Sequence, residues 1–483
     1  MKNIQKISLI LFIAIAPLAS CKKFLEADID NRTSLDQLKD LEKAIIAIEP
    51  GSDHHFTDFM TDDYVYKDIA GHVVRDANEK IKPLFTFEIL KNSVDKNQMF
   101  ADGLNPNSAF LRYYFRINNA NLLISKAEEL KSAKAGEAAR LNNVIAHAKS
   151  IKAYCNFMLA NLFGKQYDAA TAATDLAAPY IGEYNSKAIV NRPRASVKLL
   201  YDEVEKDWLS ALELMDDKNP FFNSKFYFSK RAIYGLLSRL YLNKKEWDNA
   251  TKYADLAVQA DALPLNIAKI RGGTQDPDLF SKTYFDPVNP SYLMMGNNTY
   301  QLLAYFFSGY YPYTLSSFML DQGGHSGTIR TSPLYDDIIM VKFVYFSTQS
   351  NRNMNMPLIT VDEALFNRAE AQIEKNQLLN DVAKADLLSL INNQSMQYTP
   401  DKLKERTDEL EAANTKEKAI SLLLKIKRMR FGNEGMRWFD IKRHQLPVTH
   451  NMNGTDYKLT GTNANEYVIK MPLEEIQFNK DVQ

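Results

Sequence analysis

Hydrophobic positions recur at steps of three and four residues through much of the chain, which is the spacing of one face of an α-helix. A first stripe follows Ser108, a second occupies residues 141–162, and a third starts at Ser196 and continues to Met215. Because serine is a favoured N-cap residue, we expect Ser108 to cap the first of these helices. The stripes predict long helices that pack together.

The segment from Tyr234 to Ala257 has the residue spacing of a tetratricopeptide repeat. Small residues let two antiparallel helices approach closely, and they lie at Ser238, Ala250, Ala254 and Ala257. Residues 243–246 predict the short turn between the helices. A related ending at residues 164–170 indicates that two or more such helix pairs are present.

A different pattern extends over residues 263–360, where Gly and Pro pairs interrupt the chain and no long helical stripe occurs. Helical stripes resume at Val361 and again near Asp381 and Lys416. We therefore predict a mainly α fold. In this prediction residues 21–483 form one domain, with irregular tetratricopeptide-type hairpins over about 35–262 and 361–483 as scaffold and a loop-rich, aromatic, ligand-binding insertion at about 263–360.

The N-terminus has the pattern of an export signal. Lys2 and Lys6 precede an apolar run at residues 7–16, which is shorter than the roughly 20 residues that span a bilayer. The run leads to Leu-Ala-Ser-Cys at residues 18–21, the pattern of a bacterial lipobox. We predict removal of residues 1–20 and lipidation of Cys21, which would anchor the chain to a membrane. The alternative is an ordinary signal peptide with a chance cysteine.

Composition excludes several classes of function. The chain has 59 Lys and Arg against 59 Asp and Glu, whereas a general nucleic-acid binder carries a basic excess. Zinc-protease, paired-cysteine and nucleotide-binding motifs are absent from the sequence. The G-H-S-G-T run at residues 324–328 begins like the G-x-S-x-G nucleophile motif of hydrolases, but its fifth residue is threonine. We predict no catalytic residue, no metal site and no cofactor. Cys155 lies on an apolar helical face and is expected to be a buried hydrophobe.

Two segments are candidates for ligand contact. The first is residues 52–64, which gather acidic side chains and imidazoles in a predicted loop. The loop could hold a metal, bind a ligand or simply be solvated. The ligand candidates in it are His54, His55, Asp62, Asp63 and Tyr64. The insertion is rich in aromatics, whose flat faces stack on sugar rings and whose hydroxyls reach polar groups. Its aromatics could instead form a local core or a partner surface, and the candidates are Tyr284, Tyr292, Tyr305, Tyr310, Tyr311 and Tyr313.

The basic and aromatic stretch at residues 428–447 first suggests RNA binding or catalysis. Its charges have mixed signs, and Glu434 and Asp440 are placed to pair with arginines. Gly435 suits a helix C-terminus, and Trp438 and Ile441 are three residues apart, so they can share a buried face. We predict an ion-paired structural clamp.

Several motifs together resemble those of the SusD/RagB family of outer-membrane nutrient-binding lipoproteins. The matching segments are residues 22–25 after the lipobox cysteine, 118–121, 163–164, 192–196, 365–371, 434–443 and 468–479. The positions that carry the family's scaffold signatures are Arg368, Glu370, Glu434, Gly435, Arg437, Trp438, Asp440 and Arg443. The resemblance covers essentially the whole mature chain.

The resemblance implies a tetratricopeptide-type scaffold beside a variable, loop-rich ligand site. It implies a lipoprotein that faces the cell surface, binds oligosaccharides and delivers them without chemistry to a SusC-type TonB-dependent transporter. A peptide-binding member, or a gating and assembly subunit with little ligand affinity, remains an alternative. Family glycan sites often use tryptophan, but Trp208, Trp247 and Trp438 all fall in scaffold-like segments. A glycan site here is therefore expected to depend on Tyr and Phe.

Overall fold

The computed structural model describes residues 35–66, 75–99, 105–186, 191–219, 222–259, 263–267, 269–270, 276–299, 313–316, 353–393 and 400–482. The predicted signal peptide, Cys21 and three of the predicted ligand tyrosines lie outside these residues, namely Tyr305, Tyr310 and Tyr311. The division into scaffold and insertion stays a prediction.

Helices dominate the described part of the chain. They are α1 Leu38–Ala47, α2 Arg75–Phe85, α3 Glu88–Lys91, α4 Pro106–Ala133, α5 Ala138–Phe163, α6 Val197–Leu214, α7 Lys230–Lys244, α8 Trp247–Val258, α9 Pro277–Tyr284, α10 Val361–Asn376, α11 Asp381–Asn392, α12 Pro400–Ala412, α13 Lys416–Arg430, α14 Arg437–His444 and α15 Leu473–Phe478. Short 3₁₀ turns occur at His55–Met60, Lys96–Gln98, Ala135–Glu137 and Ala464–Tyr467. Among the helices in these ranges, none combines the length and apolar character needed to cross a membrane.

The long helices begin at capping residues that satisfy their first N–H groups. Asn105, and not Ser108, caps α4: Asn105 Oδ1 accepts a hydrogen bond from the backbone N–H of Ser108 at 2.8 Å. Pro106 occupies the first helical position, where a missing N–H has no consequence. Ser196 caps α6, because its Oγ accepts from the backbone N–H of Leu199 at 3.1 Å.

The helices pack as pairs, as the tetratricopeptide spacing predicts. α4 packs on α5, α5 on α6, and α7 on α8 and α10. The small residues of the repeat are fully buried where α7 meets α8: Ser238, Ala250, Ala254 and Ala257. Asn367 of α10 donates through Nδ2 to Ser238 Oγ at 3.0 Å, so a buried polar contact also joins α10 to this pair.

The described residues contain four short antiparallel strand pairs. β1 (Tyr64–Tyr66) pairs with β5 (Tyr313–Leu315), β2 (Leu176–Pro179) with β3 (Arg194–Ser196), β4 (Tyr292–Thr299) with β6 (Asn353–Thr360), and β7 (Val448–Met452) with β8 (Thr455–Leu459). In the first pair, Tyr66 lies opposite Tyr313. Residues 263–360 are thus not purely irregular, since they contribute α9 and three strands. β4 pairs with β6 inside this segment, and β5 ties the segment to β1.

Cys155 is buried in α5, as its position on an apolar stripe predicts. Its side chain is fully enclosed and forms no disulfide. Burial raises the pKa of the thiol to about 12. The reactive thiolate is therefore disfavoured, and Cys155 acts as a small core residue.

Candidate functional site

The predicted polar cluster at residues 52–64 is a buried turn of the scaffold. His54 and His55 are 5% and 1% exposed, and their rings stack with centroids 5.4 Å apart. Burial lowers the pKa of both imidazoles, so both are neutral. Tyr64 is also buried and donates to Asn433 Oδ1 at 2.8 Å. The prediction that these three residues contact a ligand is corrected here, because neighbouring scaffold residues enclose them.

Asp62 and Asp63 hold the arginines of the signature stretch. Asp62 accepts from Nε and Nη2 of Arg437, both at 2.9 Å, and Asp63 accepts from Arg428 Nε at 2.5 Å. Burial alone would raise the pKa of Asp62, but Arg437 and Arg428 outweigh it and hold that pKa below its usual value. Both carboxylates are ion-pair partners of arginines; Asp63 is buried, whereas the side chain of Asp62 is 31% exposed.

The C-terminal signature residues form a connected set of buried charges. Asp440 accepts from Lys427 Nζ at 2.7 Å and from Arg443 Nη2 at 3.2 Å. Arg443 also forms a two-point ion pair with Glu370 of α10. Arg368, on the same helix, pairs with Asp386 of α11 at 2.6 and 2.8 Å. The chain of contacts links α10, α11, α13 and α14.

Gly435 lies where α13 turns into α14. Its φ is +74°, and its backbone N–H donates to Asp58 Oδ2 at 3.2 Å. A Cβ at this position would lie 2.8 Å from His54 Cδ2. Only glycine fits both the left-handed backbone and this close approach. Three residues further on, Trp438 is fully buried together with Ile441.

Three of the predicted ligand tyrosines are core residues. Tyr284, Tyr292 and Tyr313 are 3%, 2% and 1% exposed. Tyr284 donates to Glu434 Oε1 at 2.7 Å, and Tyr292 donates to the backbone carbonyl of Tyr284. The hydroxyls of Tyr284 and Tyr292 are therefore directed at protein acceptors. The ligand-platform interpretation is corrected for these three, and the local-core interpretation applies.

A partly exposed aromatic surface lies directly above Tyr313. The ring of Tyr66 meets that of Tyr313 edge to face at 5.5 Å, and Phe85 contacts Tyr313 from below at 5.0 Å. Tyr66 and Tyr457 are only half-buried. Burial raises the pKa of Tyr313 above its ordinary value, and the nearby Tyr66, Glu79 and Tyr457 add to this effect. We call the half-buried Tyr66 and Tyr457, together with the buried Phe85 and Tyr313 that support Tyr66, the aromatic ledge.

The ledge has a rigid support. His450 of β7 lies flat on Phe85, with ring centroids 4.0 Å apart. Its Nδ1 lies 2.6 Å from the carbonyl oxygen of Phe85 and its Nε2 lies 2.8 Å from that of Thr61. This packing holds Phe85 and Tyr313 against the ring of Tyr66, part of whose side chain remains exposed. An exposed aromatic face can stack on a flat apolar surface such as that of a sugar ring.

Sequence reasoning missed Tyr66 and Tyr457. The Tyr-Val-Tyr alternation at residues 64–66 is a weak strand signal that could have indicated Tyr66. Its partner, Tyr313, was identified as a ligand candidate but lies under the surface. Among the described residues, no cluster of acids, histidines or cysteines is arranged to hold a metal ion.

The described fold defines a class: a helical-repeat protein built of packed helix pairs joined by short strand pairs. Residues 23–242 match the family described as "Starch-binding associating with outer membrane", a SusD-like family, and residues 322–479 match the SusD family. The two matches together span most of the chain. The protein belongs to the SusD/RagB family, whose members are binding proteins and not enzymes.

Solved structures share the fold over almost the full length. A SusD superfamily protein of Bacteroides fragilis is 18% identical with a TM-score of 0.69, over 94% of this chain and 100% of its own. One of Bacteroides thetaiotaomicron is 17% identical with a TM-score of 0.67, over 93% and 99%. A SusD-like carbohydrate binding protein of Bacteroides vulgatus is 17% identical with a TM-score of 0.62, over 93% and 97%. No curated protein sequence matches the chain significantly.

Proposed function

We propose that this chain is a nutrient-binding lipoprotein of the outer membrane that takes up an oligosaccharide at the aromatic ledge. The observation that carries the proposal is the half-buried ring of Tyr66, held edge to face on Tyr313. An exposed aromatic face on a rigid support offers stacking area at low entropic cost. The description of a similar structure as carbohydrate binding supports the same ligand class.

The proposal extends to the partner and the location. Membership of the family supports delivery of the bound nutrient to a SusC-type TonB-dependent transporter, without chemistry on the ligand. The lipobox pattern supports anchoring through acyl chains on Cys21, with the protein facing the cell surface. In this arrangement the lipid supplies the membrane attachment, and the ledge supplies the selectivity.

The ligand class is tested by isothermal titration calorimetry of the mature protein against a panel of oligosaccharides and a panel of short peptides. We expect saturable heat with one or more oligosaccharides and none with the peptides. Peptide binding alone would refute the sugar assignment and favour a peptide-binding member. Absence of binding in both panels, with stable co-purification of a TonB-dependent transporter, would favour a gating or assembly subunit.

A further inference from the structure

A cavity of about 410 Å³ lies beside α5 and α7, and none of its lining residues belongs to the aromatic ledge. It is bounded by α5, the start of α7, and the loops that precede α7 and β4; the lining residues that matter here are His147, Phe222, Lys225, Tyr227 and Arg231. Its size is within the roughly 300–1,000 Å³ of small-molecule sites.

An aromatic wall closes one side of the cavity. Phe222 meets Tyr227 edge to face with centroids 5.1 Å apart, and the ring of His147 lies 4.0 Å from that of Phe222. Tyr227 is half-buried, so part of its ring remains accessible. The wall can accept the apolar face of a small ring.

His147 contributes a buried ring to this wall. The side chain is 1% exposed, and its Nδ1 has no hydrogen-bond partner within the described residues. Burial lowers the pKa of His147 to about 3, so the imidazole is neutral. A buried polar atom without a partner is costly, but Nδ1 is itself enclosed by protein, so His147 serves the wall through its ring.

Two cations border the same space. Lys225 Nζ donates to the carbonyl oxygen of Tyr292 at 2.5 Å, and in the described part of the chain no ion pair joins Lys225 to a carboxylate. Arg231 donates to the carbonyl oxygens of Ala257 and Val258 at the end of α8. Burial lowers the pKa of Lys225, and the positive charge of Arg231 lowers it further. An anion between these groups would relieve that repulsion.

The rim of the cavity carries carboxylates. Asp216 and Asp217 line it but are exposed to solvent, so their charges are more strongly screened than that of Lys225. Each already accepts a backbone N–H, from Lys218 and Lys230 respectively, at 3.0 Å. Their remaining lone pairs suit hydroxyl donors, of which a sugar ring supplies several.

We propose that this scaffold cavity is a second sugar site, specific for an acidic monosaccharide unit of the hexuronate class. The ring stacks on Tyr227, and the carboxylate lies toward Lys225 and Arg231. The site is independent of the ledge, so it goes beyond the proposed function and does not require it.

The test compares sugars that differ only at C6. Saturation-transfer NMR titrations of the full mature chain use D-galacturonate and D-glucuronate as probes, with D-galactose and D-glucose as neutral counterparts. We expect at least one acid to bind at least tenfold more tightly than its neutral counterpart. Equal affinity within both pairs, or equal binding of acetate or inorganic phosphate, would overturn the proposal.

Variants locate the binding. Lys225→Met should remove the preference for the acid and weaken its binding at least tenfold, whereas Lys225→Arg should keep the preference and also controls for folding. Lys218→Met, at an exposed lysine of the same loop, should change neither the preference for the acid nor its affinity. Tyr66→Ala should leave uronate binding intact, which separates this site from the ledge. Unchanged acid binding in folded Lys225→Met would refute the assignment.

Discussion

Replacing Asp440 with asparagine removes a buried negative charge on which two cations depend. Asp440 is 2% exposed and accepts from Lys427 Nζ at 2.7 Å and Arg443 Nη2 at 3.2 Å. Arg443 retains its ion pair with Glu370, but Lys427 is itself only 5% exposed and would lose its counter-ion. The substitution therefore creates an uncompensated buried ammonium.

The expected loss in free energy of unfolding is about 3 kcal/mol. Breaking a buried ion pair costs about 3–5 kcal/mol, and the lower end applies because asparagine keeps a hydrogen-bond acceptor. The entropy of unfolding of a chain this long is roughly 1 kcal/mol per K, so the melting temperature should fall by about 3 °C. Thermal unfolding followed by circular dichroism measures this shift. As a control, Asp456→Asn at the exposed β7–β8 hairpin should leave the melting temperature unchanged.

The same variant predicts a pH dependence. Burial raises the pKa of Asp440, but Lys427 and Arg443 outweigh burial and bring it below its ordinary value. A lowered native pKa contributes stability above the unfolded value of about 3.9, and that contribution is lost as the pH falls through the native pKa. The difference between wild type and Asp440→Asn should be constant from neutral pH to about pH 4 and shrink below it. A loss under 1 kcal/mol at neutral pH, or weaker ligand binding without loss of stability, would refute the clamp.

Two further predictions concern single positions in the core. Gly435→Ala should lower the free energy of unfolding by roughly 1–3 kcal/mol, and by more than the control Gly454→Ala. Both glycines have positive φ, but only at Gly435 would a Cβ meet a neighbour, His54. Equal losses of the two variants in urea unfolding would contradict this account. In a Cys21→Ser variant, Cys155 should resist iodoacetamide in the native state and react on unfolding, because its thiol is buried and its pKa is raised to about 12. Mass spectrometry measures the labelling. Rapid labelling of the native protein would show that the thiol is accessible.

The helical scaffold is the part that local sequence predicts well. Helix stripes and the small residues of a repeat depend on spacings within one or two helices, and the buried positions Ser238, Ala250 and Ala257 follow from them directly. Capping is less certain, because Asn105 and Ser108 are equally plausible caps in the sequence, and only the backbone geometry selects Asn105.

The candidate site was harder to predict because its contacts join distant residues. Asp62 and Arg437 are 375 positions apart, and no local pattern distinguishes an acid in a ligand loop from one that neutralises a remote arginine. Tyr66 belongs to a three-residue strand, and its exposure depends on a partner strand that begins at Tyr313. The burial of Tyr284 and Tyr292 likewise depends on packing that composition does not encode.

The central claim is that the aromatic ledge binds the sugar ligand. Calorimetric titration of Tyr66→Ala with the oligosaccharide that binds most tightly to wild type tests it directly. We expect affinity to fall at least about fivefold, from the loss of roughly 1 kcal/mol of aromatic stacking on the ligand, with the variant still folded by circular dichroism. Tyr184→Ala, at a 44% exposed tyrosine outside the ledge, should retain wild-type affinity. Unchanged affinity in Tyr66→Ala would contradict the claim.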